Sequence, residues 1–151
     1  DIRNNTGGLV EEALRLLDLF LPKNSTTLVT VDANGKKEFS KTKNSQVITE
    51  DVVVLVNEYS ASASEIFAGA LKDHGRAQIV GTKTYGKGVI QSVFMLEDGS
   101  ALKLTVEEYF TPNETKINKV GIEPNHAVEL DLENQIDTQL NKAKEILGIE
   151  V

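Results

Sequence analysis

The stretch Val52-Val53-Val54-Leu55-Val56, followed after a short turn by Ser60-Ala61-Ser62-Ala63-Ser64-Glu65, decides the fold. An uninterrupted apolar run is typical of a strand buried on both faces, as in parallel sheets. The residues after the serines place apolar side chains at helical spacing: Ile66, Phe67, Ala70 and Leu71. The pattern predicts a strand, a turn and a helix that ends at His74-Gly75, which is the repeating unit of an α/β fold.

The chain before this unit predicts a helix and a hairpin. Apolar residues recur at helical spacing from Leu9 to Phe20, and Pro22 ends the pattern. Two strand-like segments, Thr27–Val31 and Lys37–Lys41, flank Asp32-Ala33-Asn34-Gly35. Asn-Gly between such segments is a strong hairpin signal.

The chain after this unit predicts three more strands and a last helix. The strands are expected at Ala77–Val80, Val89–Leu96 and Ala101–Tyr109, with a turn at Glu97-Asp98-Gly99. Residues 112–124 are expected to form a loop, and the apolar spacing from Gln139 to Leu147 predicts an amphipathic helix. The whole is expected to be one continuous α/β domain.

Composition excludes several classes of function. The chain has 151 residues, 40% of them hydrophobic, which suffices for one core. Its net charge of −7, with no basic run longer than Lys36-Lys37, argues against nucleic-acid and membrane-surface partners. The absence of cysteine rules out disulfides, thiolate ligands and a cysteine nucleophile. The sequence has no apolar span of membrane length. Because it opens abruptly with Asp1-Ile2-Arg3, we expect it to be part of a longer protein.

The alternating serines allow two interpretations. Ser62 and Glu65 have the spacing of a helix capping box, which requires no catalysis. Alternatively, a serine exposed at a strand-to-helix junction is a candidate nucleophile, provided that a base activates its hydroxyl. Taken by itself, the pattern favours the cap.

The histidines are poor candidates for that base. His74 follows Ser62 by twelve residues on the same predicted helix, so it lies roughly 18 Å away along the axis. His126 precedes a short strand, where an exposed or hydrogen-bonded imidazole is the simpler interpretation. With two histidines and no cysteine, a metal site is not expected.

Lys87 is the leading candidate base. It lies in Gly81-Thr82-Lys83-Thr84-Tyr85-Gly86-Lys87-Gly88, which also fits G-x-x-x-x-G-K. A phosphate loop needs Ser or Thr after the lysine and then a helix, whereas this chain has Gly88 and a predicted strand. Lysine can act as a base when burial lowers its pKa, and the flanking glycines allow another segment to approach closely. A surface turn lysine is the alternative.

Several motifs in order resemble the carboxyl-terminal processing peptidases, also called tail-specific proteases. The resemblance spans nearly the whole chain. It rests on Asp1–Gly8, on Val52–Val56 leading into Ser60–Ile66, on Gly81–Gly88, on Asp98–Leu104, on Tyr109–Pro112, on Gly121–Pro124 and on Asp137–Leu140. It implies a fold like that of the ClpP and crotonase superfamily, with mixed β-sheet layers and helices.

The resemblance also assigns roles to residues. It implies that Ser62 is the nucleophile of an acyl-enzyme mechanism and Lys87 its general base, with Gln91 orienting the lysine. The backbone amides of Gly8 and Ala63 would form the oxyanion hole, as expected for free N–H groups at a helix start.

Two further expectations accompany these roles. A lysine base near neutral pH needs its pKa lowered by about three units, so tight burial is expected, with Tyr85, Val89 and Ile90 as candidate contributors to it. Asp73 aligns with an acidic family position, for which a structural role at the helix end is the preferred interpretation.

The resemblance carries expectations for the whole molecule as well. Residues 1–151 would be the C-terminal part of the protease domain, without the PDZ domain that selects substrate tails. The partner would be a protein or peptide with an accessible C-terminus, with no small-molecule cofactor, and the location would be the cell envelope or another extracytoplasmic space. Apolar surface left by missing strands would be covered by a homodimer or by strand exchange. Thr6 replaces the usual family proline, with little expected effect. The alternative is a noncatalytic peptide-binding or assembly module with the same fold.

Overall fold

The strand, turn and helix expected from Val52 onward form the centre of the molecule. The computed structural model describes residues 1–44 and 47–150. Its helices and strands are α1 (Val10–Phe20), β1 (Thr26–Asp32), β2 (Lys37–Lys41), β3 (Val52–Val56), α2 (Ala63–Asp73), β4 (Ala77–Gly81), β5 (Val89–Met95), β6 (Ala101–Phe110), β7 (His126–Ala127) and α3 (Thr138–Ile146).

β3, β4 and β7 form a parallel sheet in that order. Val54 pairs with Ile79 and Leu55 with Val80, and successive side chains point to opposite faces. One face packs on α2, and on the other face Leu55 and Val80 pack with Ala143 of α3. Because helices cover both faces, β3 is apolar at every position rather than at alternate ones.

The remaining strands form an antiparallel sheet in the order β2-β1-β6-β5. The turn between β1 and β2 has Gly35 at φ +80°, as the Asn-Gly signal predicts. β5 and β6 pair from Val89↔Glu108 to Met95↔Ala101, and a bulge interrupts the ladder between Ile90 and Gln91. β5 is one of the two edge strands of this sheet, and it directly follows the segment that carries Lys87.

The main core surrounds α2. Its residues from Ala63 to Leu71 are all buried, because the helix lies among α1, the parallel sheet and the end of β6. The largest buried side chain is that of Tyr109 on β6. It packs in the same cluster as Leu17 of α1 and Ile79 of β4. The two sheets therefore share one core, and α2 is its axis.

The sequence-based expectations for the fold are confirmed. The expected helices and the hairpin are present, and strand ends agree to within one residue. The α/β class with both strand directions is present, although the directions are divided between two sheets rather than mixed in one. Among residues 1–44 and 47–150, no helix is long and apolar enough to cross a membrane.

Candidate active site

Ser62 stands at a strained turn between β3 and α2. Its backbone has φ +58° and ψ −119°, which L-amino acids rarely adopt. Such a conformation costs on the order of 1–3 kcal/mol and persists only when the surroundings enforce it. In α/β hydrolases a strained strand-to-helix turn, or elbow, likewise exposes a serine hydroxyl, so this backbone geometry is compatible with a nucleophile at Ser62.

The other two serines of the run are structural. The Ser60 hydroxyl donates to the carbonyl of Ile2 at 2.8 Å, and the Ser64 hydroxyl donates to that of Asn5 at 3.0 Å. Both side chains are buried and hold the N-terminal segment against the elbow. Of the three, Ser62 alone lines the groove that also contains Lys87.

Gly7 and Gly8 bring the N-terminal segment up to the elbow. Gly7 has φ +93°, and a Cβ there would lie 2.5 Å from the Ala61 carbonyl oxygen and 2.9 Å from Cβ of Ser62. No side chain fits. Within the described part of the chain, the amides of Gly8 and Ala63 donate to no protein group, and both residues border one pocket beside Ser62. Ala63 is the first residue of α2, where the helix dipole favours negative charge.

Glu65 joins the serine turn to the lysine segment. Its carboxylate is fully buried and accepts from the Ser62 amide at 2.9 Å, so the expected carboxylate half of the capping box is formed. It also accepts from the Thr84 hydroxyl at 2.5 Å and from the amides of Gly86 and Lys87 at 2.7 and 2.8 Å. One carboxylate therefore sets the backbone of the candidate nucleophile relative to that of the candidate base.

Sequence reasoning identified only the cap in Glu65. The sequence did contain a further signal, because Glu65 lies in a segment whose other side chains are mostly small or apolar. A carboxylate buried in such a helix must accept several hydrogen bonds in the core. Which donors these are depends on tertiary contacts with Thr84, Gly86 and Lys87, which lie about twenty residues away in sequence.

Lys87 lines the same groove as Ser62 but is not buried. Its side chain is exposed, as is that of Tyr85 at 67%, and Val89 and Ile90 are only partly buried. The expectation of tight burial by these neighbours is therefore wrong for this chain, because Tyr85 points to solvent instead of covering the amine. The groove has a volume of about 250 Å³, and its lining includes Ser62, Lys87 and Gln91.

The other titratable candidates lie elsewhere. Asp73, at the end of α2, accepts from the Asn113 amide at 2.8 Å, which is the helix-end role expected for it. The His74 ring is hydrogen-bonded to the Thr26 carbonyl, and His126 belongs to β7. None of the three lines the groove at Ser62. In the described ranges, no group of acidic, histidine and cysteine side chains could hold a metal ion.

An apolar pocket adjoins the amides of Gly8 and Ala63. Its volume is about 210 Å³, and its apolar lining comes from α1, α2 and the N-terminal segment: Ile2, Leu9, Ala13, Leu16 and Phe67. No pattern in the sequence indicates this pocket, because the pocket forms only where three separate segments meet. A group that binds the free amides would place an adjacent apolar side chain within reach of it.

A strained serine between a parallel strand and a buried helix, beside free amides, is an arrangement that α/β enzymes with a serine nucleophile use. Comparison with known proteins makes this specific. The model of peptidase family S41 matches residues 1–128, so the chain belongs to that family.

Relatives and solved structures agree with this assignment. The carboxyl-terminal-processing protease of Synechocystis is 49% identical over 87% of this chain and 31% of its own length. Carboxyl-terminal-processing peptidase 3 of Arabidopsis thaliana, a chloroplastic protein, is 50% identical over 82% of this chain and 24% of its own. The solved photosystem II D1 C-terminal processing protease superposes with a TM-score of 0.83 at 36% identity, covering 99% of this chain and 38% of that protein. The chain thus spans a third or less of the length of these two curated relatives.

Proposed function

We propose that this chain carries the Ser/Lys dyad of a serine endopeptidase, with Ser62 as nucleophile and Lys87 as general base. One observation carries the proposal. The hydroxyl-bearing residue at the strained elbow and the lysine line one groove, and Glu65 ties their backbones together. Membership of a serine peptidase family supports it.

The reaction would be acyl transfer. Neutral Lys87 takes the proton of the Ser62 hydroxyl while its oxygen attacks a peptide carbonyl. The amides of Gly8 and Ala63 bind the resulting oxyanion, and one such donor is worth about 2.7 to 4 kcal/mol of the barrier. The Lys87 ammonium then protonates the leaving amine, and water, activated by the same lysine, hydrolyses the acyl-enzyme.

Lys87 must lose its proton to start this sequence, and in this chain its side chain meets water. A substrate strand lying in the groove would displace that water and disfavour the charged amine. Gln91, which also lines the groove, would hold the amine by one hydrogen bond. Gln91→Ala is expected to lower kcat about tenfold, the equivalent of ~1.4 kcal/mol, with little change in KM.

The substrate would be a protein or peptide with an accessible C-terminus, as the names of the relatives indicate for those proteins. The pocket beside Gly8 and Ala63 suits an apolar side chain next to the scissile bond.

We further propose that residues 1–151 form the C-terminal part of the protease domain, with tail selection by a separate PDZ domain. An extracytoplasmic or organellar location, in line with the chloroplastic relative, would be tested by cell fractionation.

The dyad is tested by substitution in the full-length enzyme. Ser62→Ala and Lys87→Ala are each expected to lower turnover of an unfolded protein substrate by about 10⁴-fold while the thermal midpoint stays near that of wild type. Lys83→Ala is the matched control, because Lys83 lies in the same segment but is ion-paired to Glu123. Turnover within threefold of wild type in either dyad variant would sink the proposal.

A noncatalytic peptide-binding module with the same fold is the second candidate, and the exposure of Lys87 favours it. It predicts that a fluorophosphonate, which modifies activated serines, leaves Ser62 unlabelled in the full-length protein. The endopeptidase proposal predicts labelling of Ser62 that Lys87→Ala abolishes.

A further inference from the structure

The Tyr109 hydroxyl lies next to the backbone of Lys87, one of the two candidate catalytic residues. The Tyr109 side chain is fully buried, although most of β6 is exposed or only partly buried. Its hydroxyl donates to the carbonyl oxygen of Lys87, and the side chain of Ser62 interacts with the same hydroxyl. The phenol oxygen is therefore hydrogen-bonded to Lys87 and lies near Ser62.

The main chain of Tyr109 holds the same segment a second time. Its amide donates to the Gly88 carbonyl at 2.9 Å. The carbonyls of Lys87 and Gly88 are thus both bound by one residue, while Glu65 binds the Lys87 amide from the opposite side. The peptide groups on both sides of the Lys87 Cα atom are fixed in this way. The strand in turn is fixed by β1, through the pairing of Tyr109 with Thr30.

The phenol is suited to hold a position rather than to exchange protons. Burial is the main cause that raises the pKa of Tyr109, and the nearby Glu65 carboxylate raises it further. The hydroxyl accordingly stays protonated throughout the pH range in which a peptidase works. Its proton is committed to the Lys87 carbonyl, so the hydroxyl acts as a fixed donor to the backbone of the candidate base.

We propose that Tyr109 is a positioning residue that holds the Lys87 segment in place beside Ser62, because its hydroxyl binds the Lys87 carbonyl and its amide binds the Gly88 carbonyl. This inference rests on the dyad proposed above. Nucleophile and base have to be held within hydrogen-bond reach for proton transfer, and small displacements are costly to the rate. Glu65 binds the amides of both residues, and Tyr109 adds hydrogen bonds to the carbonyls of Lys87 and Gly88.

The test is Tyr109→Phe in the full-length enzyme, which removes one oxygen and keeps the ring. Expected results are a 10- to 100-fold lower kcat, an equally slower labelling of Ser62 by a fluorophosphonate, and a KM within about twofold of wild type. Tyr59→Phe is the matched control, since it deletes a hydroxyl from a side chain that is 57% exposed, and it should match wild type. Rescue is expected when p-aminophenylalanine replaces Tyr109, because its N–H can donate to the Lys87 carbonyl.

The outcomes separate this inference from the dyad. If Ser62→Ala or Lys87→Ala stays active, the dyad itself fails. If both are inactive but Tyr109→Phe labels within twofold of wild type, only the role of Tyr109 is refuted. A purely structural role would lower the thermal midpoint and leave the labelling rate of the folded protein unchanged. Should Tyr109→Phe not fold, p-fluorophenylalanine at this position fills the volume of the hydroxyl, and the same loss is expected.

Discussion

Ser62 keeps its strained backbone conformation because contacts with neighbouring residues exclude an unstrained one. The segment that carries Gly7 packs directly on the elbow, and the Ala61 amide donates to the Asn5 carbonyl at 3.1 Å. A turn relaxed to ordinary backbone angles would break these contacts. The strain at the serine is thus balanced by packing several tens of residues away in sequence.

Gly7→Ala is expected to destabilise the protein severely. The new Cβ would meet backbone atoms 2.5 and 2.8 Å away, at a φ of +93° that alanine rarely adopts. We expect a loss of several kcal/mol of unfolding free energy, measured by urea denaturation. Gly8→Ala is the control for folding, since a Cβ at Gly8 has no neighbour within 4 Å. Equal stability of the two variants would contradict this account.

Glu65→Gln tests the carboxylate that links the turn at Ser62 to the segment that carries Lys87. Glutamine offers one acceptor oxygen in place of two, and its NH₂ group would face a donor such as the Ser62 or Lys87 amide. We expect a loss of about 2–4 kcal/mol in unfolding free energy together with a large loss of activity. Glu58→Gln is the matched control, because Glu58 is exposed and accepts from Thr82 at the surface. A stability equal to wild type would show that the amides find other acceptors.

Among the helices, α3 is held to the N-terminal segment by charge. Asp137 caps α3 by accepting from the Leu140 amide, and it forms two hydrogen bonds of 2.8 Å with the Arg3 guanidinium. Arg3 also donates to Gln139 at 3.0 Å, so one arginine side chain fixes the start of the helix. The segment that leads into Gly7 and Gly8 therefore depends on the far end of the chain.

This contact predicts a pH dependence. The hydrogen bond from Arg3 is the main cause that holds the pKa of Asp137 below its usual range. A carboxyl whose folded pKa is lowered stabilises the fold above its unfolded pKa, and this stabilisation is lost as the pH falls through the folded value. Asp137→Asn, which keeps a capping oxygen, should therefore cost about 1 kcal/mol at pH 7 and much less near pH 3, measured by urea unfolding. A difference that does not change with pH would contradict this assignment.

For the whole molecule, the hairpin of β5 and β6 presents apolar side chains to solvent. Phe94 lies opposite Leu102, and Leu104 extends the same face. They are exposed at 47%, 45% and 45%. Such a patch is the surface at which the homodimer expected from the sequence would form, and the homodimer remains a prediction.

Sedimentation of residues 1–151 tests this expectation. We expect reversible self-association in the micromolar range, which the double substitution Phe94→Glu and Leu102→Glu abolishes because it places charges on the apolar face. Leu132→Glu is the control, since Leu132 is 79% exposed and lies outside the hairpin. A wild-type chain that remains monomeric at 0.1 mM, on the order of a hundred times the association range, would refute the homodimer.

The helices, strands and turns could be predicted from the sequence because each depends on the preferences of residues that are close together in the chain. The run Val52–Val56, the Asn34-Gly35 turn and the apolar spacing of α1 and α2 each express a preference of neighbouring residues, and the structure confirms all of them. The order of the motifs was also sufficient to indicate the family. The residues proposed for the site followed from that resemblance, and their roles remain proposals.

What only the tertiary structure decided is how distant segments meet. The exposure of Lys87, the contacts of Glu65 with Gly86 and Lys87, and the position of the Tyr109 hydroxyl depend on packing between elements that are tens of residues apart. Hydrophobic periodicity records which face of an element is buried but not which partner covers it. The sequence by itself therefore determined the elements and the family, and the folded chain decided which atoms surround Ser62.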